Sequence, residues 1–200
     1  MISKPKFKIC RRLGPGVYDK CQTPKFSAAT AKTLPGGKRP KAPTEYGAQL
    51  LEKQKIRFSY GISERQLSNY VKKAATLKGA GTAEKLFESL ESRLDNAVYR
   101  MGLTPSRRGA RQMVSHGHFI VNNHRVTIPS YELKTGDVVK IREGSKAKKI
   151  FENLGDKLKD YTAPTWVSFD QGSMEGKILA KPKNTETFLD INAVLEFYSR

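Results

Sequence analysis

ESRLDNAVYRMGLTPSRRGARQMVSHGHFIVNNHRVTIPSYELKTGDVVKIR, residues 91–142, reads as one compact unit. Leu94, Ala97, Val98 and Met101 recur at helical spacing and Gly102 ends that helix; after a polar turn, Ala110, Met113 and Val114 mark a second one. The period then changes to two. Phe119 and Val121 alternate with Ile120 and Asn122, the Asn122-Asn123 pair suits a tight turn, and Val126 and Ile128 restore the alternation of a returning strand. Lys134 to Asp137 is a turn sequence whose Gly136 tolerates positive φ, and Val138 to Ile141 forms the last strand. The expected order is helix, helix, hairpin, strand.

Chemistry in this unit concentrates on its second helix. Ser106 can cap it, and Arg107, Arg108, Arg111 and Gln112 occupy its first turns, with Arg107 over Arg111 and Arg108 over Gln112. Like charges so stacked repel, and a helix N-terminus already carries partial positive charge, so an anion lying against them makes better sense of the pattern. Phosphate fits, because the guanidinium fork and free backbone N–H groups both match its oxygens. A solvated basic face is the bland alternative. His116, at the far end, suits a phosphate or 2′-hydroxyl contact or an ordinary surface position. Gly109, in the middle of this arginine helix, costs about 1 kcal/mol relative to Ala, which a close approach of RNA backbone would justify.

RLDNAVYRMGLTPSRRGARQMVSHGHFIVNNHRVTIPSY (93–131) resembles the RNA-binding module of small-subunit ribosomal protein four in its bacterial and organellar form. EYGAQLLEKQKIRFSYGISERQLSNYVKKA (45–74) is similar to the helical domain of that family, and PTWVSFD, EGKI and INAVLEFYSR to its C-terminal part. Residues 1–44 align loosely.

Composition points the same way independently. Lys plus Arg number 37 against 19 Asp plus Glu, for a net charge of +18 on 200 residues. Residues 1–60 hold 14 basic and 3 acidic side chains and residues 101–150 hold 10 and 3, whereas the C-terminal quarter is slightly acidic. Two basic zones flanking a nearly neutral block imply an extended anionic partner, nucleic acid or an anionic membrane surface. No apolar run approaches a transmembrane span, no signal or transit peptide is apparent, and the basic zones lack a strong apolar face, so membrane binding is not expected.

Residues 1–44 show no period; Pro5, Pro15, Pro24, Pro35, Pro40 and Pro43 fragment any helix, and Lys8, Arg11 and Arg12 sit among many like charges. An extended basic arm ordered by RNA is the expectation, with Phe7, Ile9, Leu13 and Tyr18 able to anchor a short local fold. Cys10 and Cys21 are too few for a structural zinc site, although some relatives in the family resembled carry four cysteines there; free thiols packed as small hydrophobes are expected in place of a disulfide.

Thr44 can cap a helix over 44–58 with Tyr46, Leu50, Leu51 and Phe58 on one side; Ser63 and Gln66 form a capping box for the next, with Leu67, Tyr70, Val71, Ala74 and Ala75 at its period. A third helix from Thr82 or Ala83 runs with little break into that of Leu94. Residues 145–163 read as one Lys-rich helix with Ala147, Ile150, Phe151 and Leu154 on one side. The segment after Pro164 and that from Lys177 to Ala180 read as a hairpin. A terminal helix with Ile191, Val194, Leu195 and Tyr198 on one stripe is too short to stand alone. The expected fold is α+β: a basic arm (1–44), a helical domain (45–90 completed by 187–200), and an RNA-binding module (91–186, core 91–155) of helices on a mostly antiparallel sheet.

The resemblance implies a structural constituent of the small ribosomal subunit that binds its ribosomal RNA directly, nucleates assembly of the subunit body and influences translational accuracy. It further implies contact with neighbouring small-subunit proteins, protein five among them, a place where messenger RNA enters, and a cytoplasmic or organellar ribosome. Expected RNA contacts are Arg107, Arg108, Arg111, Gln112, His116, Arg93 and Arg100 in the module, Lys53, Lys55, Arg57, Tyr60 and Arg65 in the helical block, and Lys8, Arg11 and Arg12 in the arm. No paired carboxylates, Gly-rich phosphate loop or metal spacing is present, so neither catalysis, cofactor, metal nor a small-molecule substrate is expected. The same module also occurs in RNA-modifying enzymes and free RNA-binding factors, which are the competing readings.

Overall fold

The structure, a computed structural model, describes residues 5–31, 42–76, 81–152, 154–159, 161–184 and 188–199. Pro35, Pro40 and the lysines of 32–41 expected in the basic arm lie outside these. The chain divides into two compact units, Met1–Thr76 with Thr185–Arg200, and Leu77–Asn184.

The first unit corrects the expectation of an arm without helices. Helix α1 spans Lys6–Leu13 and α2 spans Pro24–Ala31, joined by 3-10 turns at Pro15–Val17 and Asp19–Cys21. The prolines do not break these elements because Pro15 and Pro24 each occupy a first helical position, where the missing N–H has no partner to lose. Leu13, Val17 and Phe26 close a small core around Cys10 and Cys21, which are bonded as a disulfide, each 1% exposed, with Cα atoms 6.4 Å apart. The free thiols expected are therefore corrected: α1 and the second 3-10 turn face each other across one apolar cluster, which brings the sulfurs together. Phe188, from the other end of the chain, packs on the same cluster.

Helix α3 spans Glu45–Ser59, with the Gly47 amide donating to Thr44 Oγ1, and α4 spans Glu64–Thr76, entered through the reciprocal Ser63–Gln66 box. The buried face of α3 is not the expected apolar one. Tyr46 is 52% exposed, whereas Gln49, Lys53, Ile56 and Ser59 are buried. The cause is α11 (Ile191–Ser199), which lies along α3: Gln49 donates to Glu196 at 3.1 Å, and the Lys53 ammonium sits 4.2 Å from the Phe197 ring centre while donating to Glu64 at 2.9 Å. The terminal helix packs on α3 and α4, with Val194 fully buried.

In the second unit, α5 (Thr82–Glu91) and α6 (Leu94–Arg100) are separate helices. Arg93 between them is extended (φ −66°, ψ 139°) and bridges Glu132, so the expected continuous run is broken. Helix α5 belongs to this unit rather than to the helical block, tied by Glu91 to Arg100 and by Glu88 to Lys181. Next come α7 (Arg107–Ser115), β1 (Phe119–Val121), β2 (His124–Arg125) and β3 (Val138–Ile141). Asn122 and Asn123 both take positive φ (48° and 70°), the mirror-image turn that suits hairpin twist. Strand β2 ends two residues after the turn, and Ile128 is 59% exposed, because Pro129 and Tyr131 turn their carbonyls to the Asp95 and Leu94 amides instead of to a sheet.

The Lys-rich segment is three short helices, α8 (Glu143–Lys146), α9 (Lys149–Glu152) and α10 (Leu154–Lys159), not one. Phe151, Leu154 and Leu158 enter the core while Ile150 stays half-exposed. Strands β4 (Val167–Asp170) and β5 (Glu175–Ile178) complete an antiparallel sheet of order β2-β1-β3-β5-β4. Its core joins Leu94, Val98, Met101, Ala110 and Val114 of the helices to Phe119, Val139, Ile141 and Ile178 of the strands. The α+β architecture follows from this alternation of 3.6 and 2 periods around one apolar layer.

Candidate nucleic-acid interface

The arginine-rich helix α7 is neutralised on its inner side by buried carboxylates. Ser106 caps it as expected, accepting from the Gly109 amide at 3.2 Å. Gly109 is thus the third residue of the helix, not its middle, and a Cβ there would meet Ser106 Oγ at 3.3 Å. Beneath the helix, Glu91 (0% exposed) accepts a fork from Arg100 at 2.8 and 2.9 Å, with the Arg107 guanidinium 3.7 Å away. Asp95 (3% exposed) accepts a fork from Arg93 at 2.9 and 2.8 Å and another bond from Arg111 at 2.8 Å. Arg107 also donates to Asn96 at 2.7 Å and lies 4.6 Å from the centre of the Tyr99 ring.

Repulsion between stacked arginines is therefore relieved inside the protein, a role that sequence reading assigned entirely to an external anion. The missed signal was the pair of acids at 91 and 95, one helical turn apart in number and interleaved with Arg93 and Arg100. Two carboxylates face four arginines, so compensation is partial. Arg93 is 2% exposed, and it is corrected from RNA contact to structural ion pair. Arg100 and Arg107 are mostly covered, and the Arg111 side chain is 28% exposed. What α7 turns outward is the line Arg108, Gln112 and His116, all exposed at i, i+4 and i+8.

The first unit presents a separate basic surface. Lys8, Arg11 and Arg12 are exposed on α1 and Arg65 on α4, as a contacting role requires. Three expected contacts in this block are corrected by their surroundings. Tyr60 is 3% exposed and so does not stack on bases, and Lys53 is buried between Glu64 and the aromatic end of α11. Lys55 pairs with Glu52 at 2.5 Å beside the Phe188 ring. Arg57 is half-available, 3.6 Å from Glu64. Although burial alone would raise its pKa, bonds from Tyr198 and Lys53 hold the Glu64 carboxyl below its usual range, and burial plus the Glu64 contact push the Tyr198 phenol well up.

His118 is a buried histidine, its Nδ1 2.9 Å from Ser145 Oγ. Burial lowers its pKa, and the charges of Lys148, His116, Arg142 and Arg125 push the same way. The folded state then binds a proton less readily than the unfolded chain. Its stabilising contribution is complete above the unfolded pKa of about 6.5 and is lost as pH falls from there towards the lower folded value. We expect the unfolding midpoint to fall below pH 6.5 and the slope to flatten in His118→Asn, as read by urea titration at several pH values.

No group of three or more metal-ligating side chains occurs among the described residues, and none of their helices is long and apolar enough to cross a membrane. A family model described as Ribosomal protein S4/S9 N-terminal domain matches residues 2–91, and one described as S4 domain matches residues 92–139. Among curated relatives, the small ribosomal subunit protein uS4 of Acetivibrio thermocellus is 44% identical over 200 residues, covering 96% of each chain. The protein of the same name from Syntrophomonas wolfei is 40% identical over 96% of this chain and 95% of its own, and that from Thermotoga maritima 41% over 98% and 97%.

Proposed function

The chain belongs to the small ribosomal subunit protein uS4 family, and on that footing we propose that it is a structural, ribosomal-RNA-binding component of the small subunit. The observation that carries the RNA contact is the exposed Arg108, Gln112, His116 line on a helix whose inner arginines, Arg107 and Arg111, lie against Glu91 and Asp95. Internal ion pairs fix the orientation of α7 before any ligand arrives, so binding orders only the outward side chains and not the helix that carries them. Contacts to backbone phosphate and 2′-hydroxyl, not base reading, suit A-form RNA. Lys8, Arg11 and Arg12 on α1 supply a second grip from the first unit.

Through these two surfaces the protein holds separate segments of the small-subunit RNA, nucleates assembly of the subunit body, and contributes to accurate decoding. It works in the ribosome, without catalysis, beside neighbouring small-subunit proteins such as protein five and near the point where messenger RNA enters. Affinity for transcribed small-subunit RNA should fall with salt, each neutralised phosphate adding roughly −0.7 to −0.9 to the log–log slope. Arg108→Glu, on an exposed residue, should leave the unfolding midpoint in place and remove about one from that slope. A wild-type slope near zero would defeat the proposal.

A further inference from the structure

The opposite end of α7 carries a cluster of cations that the internal network leaves alone. The chain turns there through His116, Gly117 and His118, with Gly117 at φ +70°. The Arg125 guanidinium lies across Gly117 so closely that a Cβ would meet its Nε and Nη2 at 2.4 Å. The Arg142 amide donates to the His118 carbonyl at 2.9 Å, and Lys148 follows from Ser145, whose hydroxyl holds the His118 ring. Arg125, Lys148 and His116 are exposed.

Among the described residues, none of Arg125, Arg142 and Lys148 has a carboxylate partner. Arg142 Nε is buried without an acceptor. Glu143, the acid next in sequence, is taken by Lys146 at 2.7 Å. All the charges acting on His118 are positive, and none of opposite sign offsets them. The end of a helix supplies only about half a negative charge, which is too little for this group. Clustered cations of this kind are destabilising by themselves and are relieved by a bound anion.

We propose that Arg125, Arg142, Lys148 and His116 form a second phosphate-binding site of the module, taking a backbone phosphate of the RNA at the C-terminal end of α7. This inference rests on the RNA-binding reading above and extends it from one end of the helix to the other. Gly117 belongs to the site as the residue whose missing side chain lets the Arg125 fork lie over the turn. The Arg108 end and this corner then contact different phosphates of the RNA that are not adjacent, because the rise of α7 between Arg108 and His116 is about 12 Å.

Binding of the full-length protein to transcribed small-subunit RNA, measured across a salt series, tests this. Arg125→Gln with Lys148→Gln should lower affinity roughly tenfold or more and reduce the slope by about 0.7 to 0.9, the share of one phosphate, while the unfolding midpoint does not fall, since both residues are exposed and their loss relieves like-charge repulsion. Arg125→Lys keeps the charge but not the fork, so its slope should match wild type while its affinity falls less. If the double variant binds with wild-type affinity and slope while Arg108→Glu is impaired, the corner is not a phosphate site and the reading of the helix stands. If wild-type binding is itself independent of salt, that reading falls and this inference with it.

Discussion

Glu91→Gln and Asp95→Asn are each expected to destabilise the second unit by about 3–5 kcal/mol, the usual cost of removing one partner from a buried ion pair. Glu91 is fully buried and its two oxygens serve the Arg100 fork, with Arg107 close by. The amide can still accept at one atom, but its NH2 then points at a guanidinium, leaving a buried cation without its counter-charge. Asp95→Asn does the same to Arg93, which is itself 2% exposed and cannot turn to water. The urea midpoint should drop while the dependence on denaturant stays constant, since the native surface is unchanged. Lys181→Ala, which removes an exposed pair with Glu88, is the control and should shift stability by about 0.5 kcal/mol or less. Equal, small effects at Glu91 and Lys181 would show that the network does not organise the module. The same geometry predicts that reversing Arg107 or Arg111 unfolds the helix packing, so a loss of RNA binding in such variants reports on the fold, not the interface.

Val194→Asp should abolish the native state of the first unit. Val194 is fully buried on α11, which packs along α3, so a carboxylate there would be taken out of water. Burying an unpaired charge costs far more than a domain of this size holds in reserve, so α11 leaves instead. Its departure strips Gln49 of Glu196, exposes Lys53 and breaks the 2.7 Å bond from Tyr198 to Glu64. Amide hydrogen exchange distinguishes the outcomes: α3 and α4 should exchange near the rate of an unfolded chain while β1, β3 and β5 stay protected. Protection retained in α3 would contradict the assigned role of the terminal helix.

Local chemistry carried much of the fold into view. Helices α6 and α7, the Ser106 and Thr44 caps, the Ser63–Gln66 box, the Asn122-Asn123 turn and the strands at 119–121 and 138–141 each rest on residues within a few positions of one another. Elements failed to show where the deciding contact is distant. Ile128 looked like strand until its neighbours' carbonyls were seen to serve α6, and Pro15 and Pro24 looked like breakers until they were found at first helical positions.

The site divided along the same line. Sequence alone determined that the protein is α+β, strongly basic and suited to an extended anionic partner, which the resemblance at 93–131 made RNA, because periodicity, turn residues and net charge are properties of short stretches or of their sum. Only the tertiary structure decided which cations are free to do so. Arg93, Lys53 and Tyr60 read as contacts and are buried and Arg100 is mostly covered by its pair with Glu91, while Arg125, Arg142 and Lys148 carried no motif and, among the described residues, stand without a carboxylate. Whether a charge is available depends on what lies within a few ångströms of it, and folding brings those neighbours from anywhere in the chain: Asp95 to Arg111 across 16 residues, Glu196 to Gln49 across 147.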